Sequence, residues 1–388
     1  MRKILIVSTC SDDWGGSEEL WGKSIPYLQA AGFKLAVVKN SINRQHPVFK
    51  NLAAIHVDLI ESFPQRPIPL KIIKKLKKVF VKVAAGLKLV QPQGEDFGDF
   101  INIMKSSSPS LVIISQGINF DGLKLAYHCH QLNIPYVVIA QKAVDWYWPY
   151  VTDRAIMLEA LLNAKKVFFV SHHNQKLTEE QFGHRLPNSQ VIFNPVKLSG
   201  NIVPYPISTA TYHLACLGRL FILDKGQDIL IRIMSEKIWR ERPLKISFIG
   251  KGMDEAALKD MATLLNVTNI EFKGQIEDIE SMWSEYHALI LPSRSEGLPL
   301  SMVEAMAAGR PVIISNAGGN TELVEEGITG FIGYPNEESF EQAMERAWNK
   351  RDQWKHMGEK AARYVSEHVP HSPETDFANL IIGLFDIK

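Results

Sequence analysis

The sequence predicts an α/β protein built from two doubly wound domains. Three observations carry this. Short continuous Val/Ile/Leu runs alternate with helical patterns, as strands buried on both faces of parallel sheets do. The runs fall into two groups, separated by a segment of linker composition at 194–208, NPVKLSGNIVPYPIS, which holds three prolines. The chain of 388 residues, 46% of them apolar, exceeds one ordinary domain and suffices for two cores.

The first group of strands is Ile4–Val7, Leu35–Val38, Leu111–Ile114, Tyr136–Ile139 and Val167–Val170. The second is His213–Leu217, Ile246–Ile249, Ile270–Phe272, Ala288–Leu291 and Val312–Ile314, with helical patterns dominating after Glu337. Domain boundaries follow at 1–200 and 201–372. Met1–Val7 begins with two basic residues, but its apolar run is too short for a signal h-region and reads as a first strand.

Composition narrows the function classes. A formal net charge of +1 gives no electrostatic footprint for nucleic acid. Cys10, Cys129 and Cys216 are far apart and form no CxxC or Cys/His spacing, so a reducing compartment is expected. No apolar run approaches the ~20 residues of a membrane-spanning helix. A cytoplasmic protein follows, either soluble or peripheral on a membrane.

Residues 62–94 stand apart: seven lysines and Arg66 without an Asp or Glu give +8, which leaves −7 for the rest. On a helix Lys71, Lys74, Lys75, Lys78 and Lys82 form one stripe, opposite Ile72, Ile73, Leu76, Val79, Phe80 and Val83. Two readings stand open, a core-facing helix with a solvated lysine face and an amphipathic helix lying on an anionic membrane surface.

The densest chemistry lies in SEGLPLSMVEAMAAGRPVI, Ser295 to Ile313, followed by Gly318-Gly319. The order is a turn, a Gly-Leu-Pro loop, a small-residue helix, a strand and a second glycine loop. Glu296 and Glu304 are eight positions apart. On one helix that spacing would put them ~12 Å apart along the axis and about 80° around it. This suits two hydrogen-bonding tasks along an extended ligand better than paired acid/base work. The N–H groups of the helix start, around Leu298–Met302, favour a phosphate.

Three further places fit such a ligand. Gly218-Arg219-Leu220 ends the first strand of the second domain and Lys225-Gly226 opens the next helix, so a guanidinium fork and an ammonium can converge on a diphosphate. Gly250 and Gly252 end the second strand, where a base or ribose can approach closely. Trp14-Gly15-Gly16-Ser17-Glu18 follows the first strand of the chain and opens a helix. It lacks the GxGxxG fingerprint, which disfavours a nicotinamide enzyme. Trp239, Trp283 and Phe331 read as packing residues, and His128 and His130 as structural.

Together these pieces resemble the retaining glycosyltransferases of the GT-B fold, specifically glycosyltransferase family 4. The resemblance is densest over 213–333 and weaker over Met1–Gly32 and Val167–Val196, where Ser171 and Asn194-Pro195-Val196 stand at the family's Ser and Asn-Gly-Val. It implies two Rossmann-like domains facing an interdomain cleft, with the last helix, ~373–388, packing back on the first domain. It further implies that Glu304 binds ribose hydroxyls and Glu296 lies near the donor sugar. Arg219 and Lys225 would hold the diphosphate, and the N–H groups of Gly297, Leu298, Pro299-Leu300 would line sugar and phosphate, proline lacking its own. Gly16 would approach from the other domain, and Gly218 and Gly250 would line the donor.

The family's T-x-His pattern is replaced here by Ile139-Ala140-Gln141, and glutamine can hydrogen-bond a sugar but cannot titrate. The loop Asp145-Trp146-Tyr147-Trp148-Pro149 follows, where Asp145, Trp146 and Trp148 either hold an acceptor sugar or lipid-linked glycan or pack the loop itself. The expected reaction is transfer of a sugar, with retention, from a nucleotide sugar (UDP first, GDP second) to a hydroxyl, without a metal or other cofactor. The alternatives are a non-catalytic nucleotide-sugar or glycan-binding protein, and an epimerase, glycogen-type synthase or phosphorylase on the same fold.

Overall fold

The computed structural model describes residues 2–62, 98–196, 202–207 and 210–386. The lysine stripe Lys71, Lys74, Lys75, Lys78 and Lys82 lies outside these described residues.

The first sheet is all parallel. Its strands are β1 (Lys3–Ser8), β2 (Lys34–Lys39), β3 (Asp58–Glu61), β4 (Leu111–Ser115), β5 (Tyr136–Ala140), β6 (Lys166–Phe169) and β7 (Ser189–Val191), in the order β3-β2-β1-β4-β5-β6-β7. Register places Ile4 opposite Leu35 on one side and Leu111 on the other. The continuous apolar run of β1 serves both faces. Ile4 and Ile6 pack with Leu20, Trp21 and Ile25 of the helix Gly16–Ala30, whereas Leu5 and Val7 pack with Leu123 and Met157 on the opposite face.

The second sheet contains β8 (Tyr212–Leu217), β9 (Leu244–Ile249), β10 (Ile270–Gly274), β11 (Ala288–Leu291), β12 (Val312–Ser315) and β13 (Gly330–Gly333), again parallel and in the order β10-β9-β8-β11-β12-β13. Both sheets reverse winding direction beside their first strand, between β1 and β4 and between β8 and β11. Ligands of doubly wound sheets bind beyond the strand ends at such reversals. The two-domain, Rossmann-like GT-B architecture is thus in place.

Strands β3, β7 and β13 escape the sequence pattern because each is a short sheet edge, with one neighbour and no need for a continuous apolar run. The helix Pro373–Gly383 returns to the first domain. Its Phe377, Ala378 and Ile381 share a core with Ile4 and Leu20, and the Phe377 ring lies 5.2 Å from that of Phe168.

Arg310 of the glycine-arginine-proline step is fully buried. Its guanidinium donates to the carbonyls of Trp283, Tyr286, Ala308, Val203 and Pro204. Burial pulls its pKa down to about 10, so it remains charged at neutral pH. The last two carbonyls belong to the interdomain segment, which this side chain staples to the second domain. Trp239, Trp283 and Phe331 are buried packing residues. His130 faces Glu159 of the neighbouring helix Arg154–Asn163 at 3.3 Å.

Candidate active site

The chain leaves β8 through Gly218-Arg219 and leaves β11 through the loop that carries Glu296. These neighbouring strand ends meet in one ion pair: Lys225 Nζ lies 2.6 Å from Glu296 Oε1, with both side chains largely buried. Gly250, at the end of β9, packs on the same exit from β8. Its φ is +136°, and a Cβ there would lie 2.1 Å from the Gly218 carbonyl oxygen. Beneath the pair sits Cys216, whose thiol burial pushes up to about 12, so it is a neutral thiol rather than a nucleophile at physiological pH.

Glu296 belongs to the loop, and the helix Leu300–Ala307 starts after Pro299, so the two carboxylates do not share a helix. Glu304 is buried within that helix. The Gly319 N–H donates to the Gly297 carbonyl at 2.7 Å, closing the second glycine loop over the first. Asp224 anchors the loop from below, its carbonyl accepting from the N–H groups of Arg294 (2.7 Å) and Ser295 (3.1 Å). Arg294 in turn forks onto Asp228. Burial would raise the Asp228 pKa, but hydrogen bonds from Arg294 and Arg232 outweigh it and hold the group below the usual range.

The first domain closes directly on this loop. A Cβ on Gly297 would fall 2.0 Å from the Gln141 carbonyl oxygen, so only glycine allows the two backbones to touch. A Cβ on Gly16 would lie 3.1 Å from Leu300 Cδ1, which brings the Gly15-Gly16 turn onto the start of the helix Leu300–Ala307. The side chain of Gln141 is engaged by protein: its Nε2 donates to the Ser17 carbonyl (3.1 Å) and its Oε1 accepts from Asn194 Nδ2 (2.8 Å). The glutamine therefore splices the first helix to the Asn194 segment.

Several polar contacts across the cleft were not legible in the sequence. Lys142 Nζ lies 2.8 Å from Asp224 Oδ2, and Arg219 Nη1 lies 2.8 Å from Asp12 Oδ2. Glu322 accepts the N–H groups of His173 (2.7 Å) and His172 (3.1 Å), capping a first-domain helix, His172–Phe182, from the second domain. Such pairings join residues up to 207 positions apart, and single surface charges carry no local pattern that announces a partner.

A cavity of about 1060 Å³ opens in the first domain beyond the ends of β1, β2 and β4, lined by Ser8, Lys39, Asn119, Trp146, Trp148 and Tyr150 among others. Trp146 and Trp148 thus stand at its wall, half-exposed or more. Asp145 is not part of the lining, and its carbonyl accepts from Trp148 Nε1 at 3.0 Å. The loop is held by Gln181 Nε2, which donates to the Val144 and Tyr147 carbonyls at 2.8 and 2.6 Å. On the cavity floor, Lys39 pairs with the fully buried Glu18 at 2.9 Å, and the other Glu18 oxygen accepts from the Gly15 N–H at 3.0 Å. The carboxylate therefore sets the glycine turn.

Among the candidate residues the structure brings together Gly16, Gln141, Gly218, Arg219, Lys225, Glu296, Gly297 and Leu300, with Gly250 as their support. Trp146 and Trp148 stand at the separate first-domain cavity.

The family model described as Glycosyl transferases group 1 matches residues 211–350. An uncharacterized glycosyltransferase of Methanocaldococcus jannaschii is 27% identical over 179 residues, 46% of this chain and 47% of that protein. The O-antigen biosynthesis glycosyltransferase WbnH of Escherichia coli is 25% identical over 223 residues, 56% of this chain and 60% of that protein. The match thus spans about half the length of these curated relatives. Among solved structures, Anabaena HepE in complex with UDP and glucose superimposes with a TM-score of 0.73 at 16% identity, covering 99% of this chain and 100% of that one. The chain therefore has the GT-B fold, and its second domain carries a glycosyl transferases group 1 region.

Proposed function

We propose that the protein is a retaining glycosyltransferase that moves a hexose-type sugar from a nucleotide diphosphate sugar to an acceptor hydroxyl. The observation that carries this reading is the Lys225–Glu296 pair beside Arg219, set at the winding reversal of the second sheet, with the Gly16 turn packed on Leu300 of the helix that follows. Arg219 and Lys225 would take the diphosphate, Glu304 the ribose and Glu296 the sugar. The anomeric carbon–oxygen bond to the β-phosphate breaks and the diphosphate leaves with the electron pair. The acceptor oxygen bonds to the same face, and its proton passes to a phosphate oxygen. Fixed cations aimed at the departing charge supply the main stabilisation, so the route requires no metal. UDP-sugars are the first expected donors, GDP-sugars the second.

The first-domain cavity, with Trp146 and Trp148 at its wall, suits a glycan or lipid-linked acceptor, because sugar faces stack on aromatic rings. Surface polysaccharide or glycolipid assembly is the corresponding setting, in keeping with the O-antigen relative. Residues 62–94 carry +8 without an Asp or Glu. This favours a protein that is cytoplasmic and peripheral on an anionic membrane face. Among the described residues no helix is long and apolar enough to cross a membrane.

The deciding experiment screens UDP- and GDP-sugars for release of free nucleotide, with and without glycan or lipid-linked acceptors. Release that depends on an acceptor supports transfer. Binding of donors with no release under any condition would instead favour a non-catalytic binding protein, a reading motivated by the occupied amide of Gln141. Co-sedimentation with anionic vesicles, lost on Lys74, Lys75 and Lys78→Glu, tests the membrane surface.

A further inference from the structure

We propose that Lys142, supplied by the first domain, is a third cation for the leaving diphosphate, and that Asp224 positions it; this rests on the nucleotide-sugar reading above. Lys142 directly follows Gln141, whose carbonyl is packed against Gly297, so its backbone is fixed at the edge of the donor loop. Its ammonium reaches across the cleft to Asp224 Oδ2 at 2.8 Å, and the two side chains are only 13% and 9% exposed. The same oxygen lies 3.6 Å from Arg219 Nη2. One carboxylate thus gathers a cation from each domain, and its single charge cannot neutralise both.

The remaining charges point the same way. Arg219 is balanced from its other side by Asp12, but that pair is half-exposed, and exposed pairs are weak and readily exchanged. Lys225 is matched by Glu296. An arriving diphosphate displaces Asp12 from Arg219, and it then meets Arg219, Lys225 and the surplus charge of Lys142. Asp224 is also the residue whose carbonyl holds the N–H groups of Arg294 and Ser295, immediately before Glu296. Lys142 is therefore anchored to the element that positions the donor loop, and an ammonium has two further N–H donors after one is given to Asp224. Because Lys142 belongs to the first domain, its charge reaches the diphosphate only when the cleft is closed. Departure of the diphosphate and domain closure become linked.

Calorimetric titration of the full chain separates this role from that of a mere interdomain staple. UDP and uridine, and GDP and guanosine, are titrated into wild type, Lys142→Met, Lys142→Arg, Asp224→Asn and the Lys142→Met/Asp224→Asn double variant. The expected result is a loss of about tenfold or more in affinity for the preferred nucleoside diphosphate in Lys142→Met, with the nucleoside unchanged. Lys142→Arg should restore most of it, and Asp224→Asn should cost less than Lys142→Met. Lys142→Gln gives the same reading should the Met variant not fold. Diphosphate affinity unchanged in Lys142→Met would overturn the proposal. So would equal losses in Lys142→Met, Asp224→Asn and the double variant, which mark a staple. If wild type binds neither nucleoside diphosphate, the donor reading itself fails and this inference falls with it; binding by wild type that Lys142→Met retains sinks this inference alone.

Discussion

Lys225 Nζ and Glu296 Oε1, 2.6 Å apart, tie the strand end of β8 to that of β11. The pair thereby fixes both side chains at the winding reversal of the second sheet. Glu296→Gln preserves shape while removing the charge. It should lower the transfer rate by roughly 100-fold, about 2.7 kcal/mol, and change nucleoside diphosphate affinity only a few-fold. Lys225→Met should chiefly weaken that affinity. Steady-state nucleotide release and direct binding measurements check the split; a Glu296→Gln enzyme with wild-type turnover would remove Glu296 from the chemistry.

Gly297 touches the Gln141 carbonyl across the cleft, with no space for a Cβ. Gly297→Ala must push the domains apart locally, at a cost of about 1–3 kcal/mol for an overpacked contact. Since each domain keeps its own core, thermal unfolding of the second domain should barely move while acceptor-dependent transfer falls at least tenfold. Unaltered transfer would show that the observed closure is not the reactive one.

The carboxylate of Glu322 caps the helix His172–Phe182 from the opposite domain. Removing it in Glu322→Ala leaves two helix N-terminal donors without their partner and should weaken interdomain association by about 1–2 kcal/mol. Amide hydrogen exchange reads this directly. Exchange at His172 and His173 should accelerate about tenfold, whereas the strands of both sheets should keep their protection. Identical exchange rates in the variant would mean that the cap does not hold the domains.

His287 sets a pH dependence of stability. Burial holds its pKa down to about 4, and its Nδ1 accepts the His213 N–H at 3.0 Å. Between that value and the ordinary one of ~6.5, the unfolded chain binds a proton that the folded chain does not. The stabilisation is full above the unfolded value and is lost as pH falls through the window, by roughly 3 kcal/mol in all. His287→Gln should flatten the decline in Tm between about pH 6.5 and 4. A variant whose Tm falls with acid as steeply as wild type would assign the dependence to other groups.

Lys142 and Glu322 show where reading the sequence stops. Each acts on a residue of the other domain, Asp224 and Glu322's partners His172 and His173, at separations of 82 to 150 positions. The residue types are ordinary surface charges until the fold brings them to the cleft. Gln141 illustrates the converse: its place at the end of β5 was legible, but the use of its amide by Ser17 and Asn194 was not.

By itself the sequence determined the two doubly wound sheets, since strands covered on both faces must be continuously apolar, as Ile4–Val7 and Ala288–Leu291 are. It also determined the Glu296–Glu304 motif, because the loop, helix start and glycine loop that form it are local in sequence. The tertiary structure alone decided which charges pair across the cleft, that Gly297 is a point of backbone contact, and that the aromatic loop walls a cavity rather than the donor loop. Hydrophobic periodicity is a short-range signal, whereas Coulombic and steric complementarity between domains exists only once their relative placement is set.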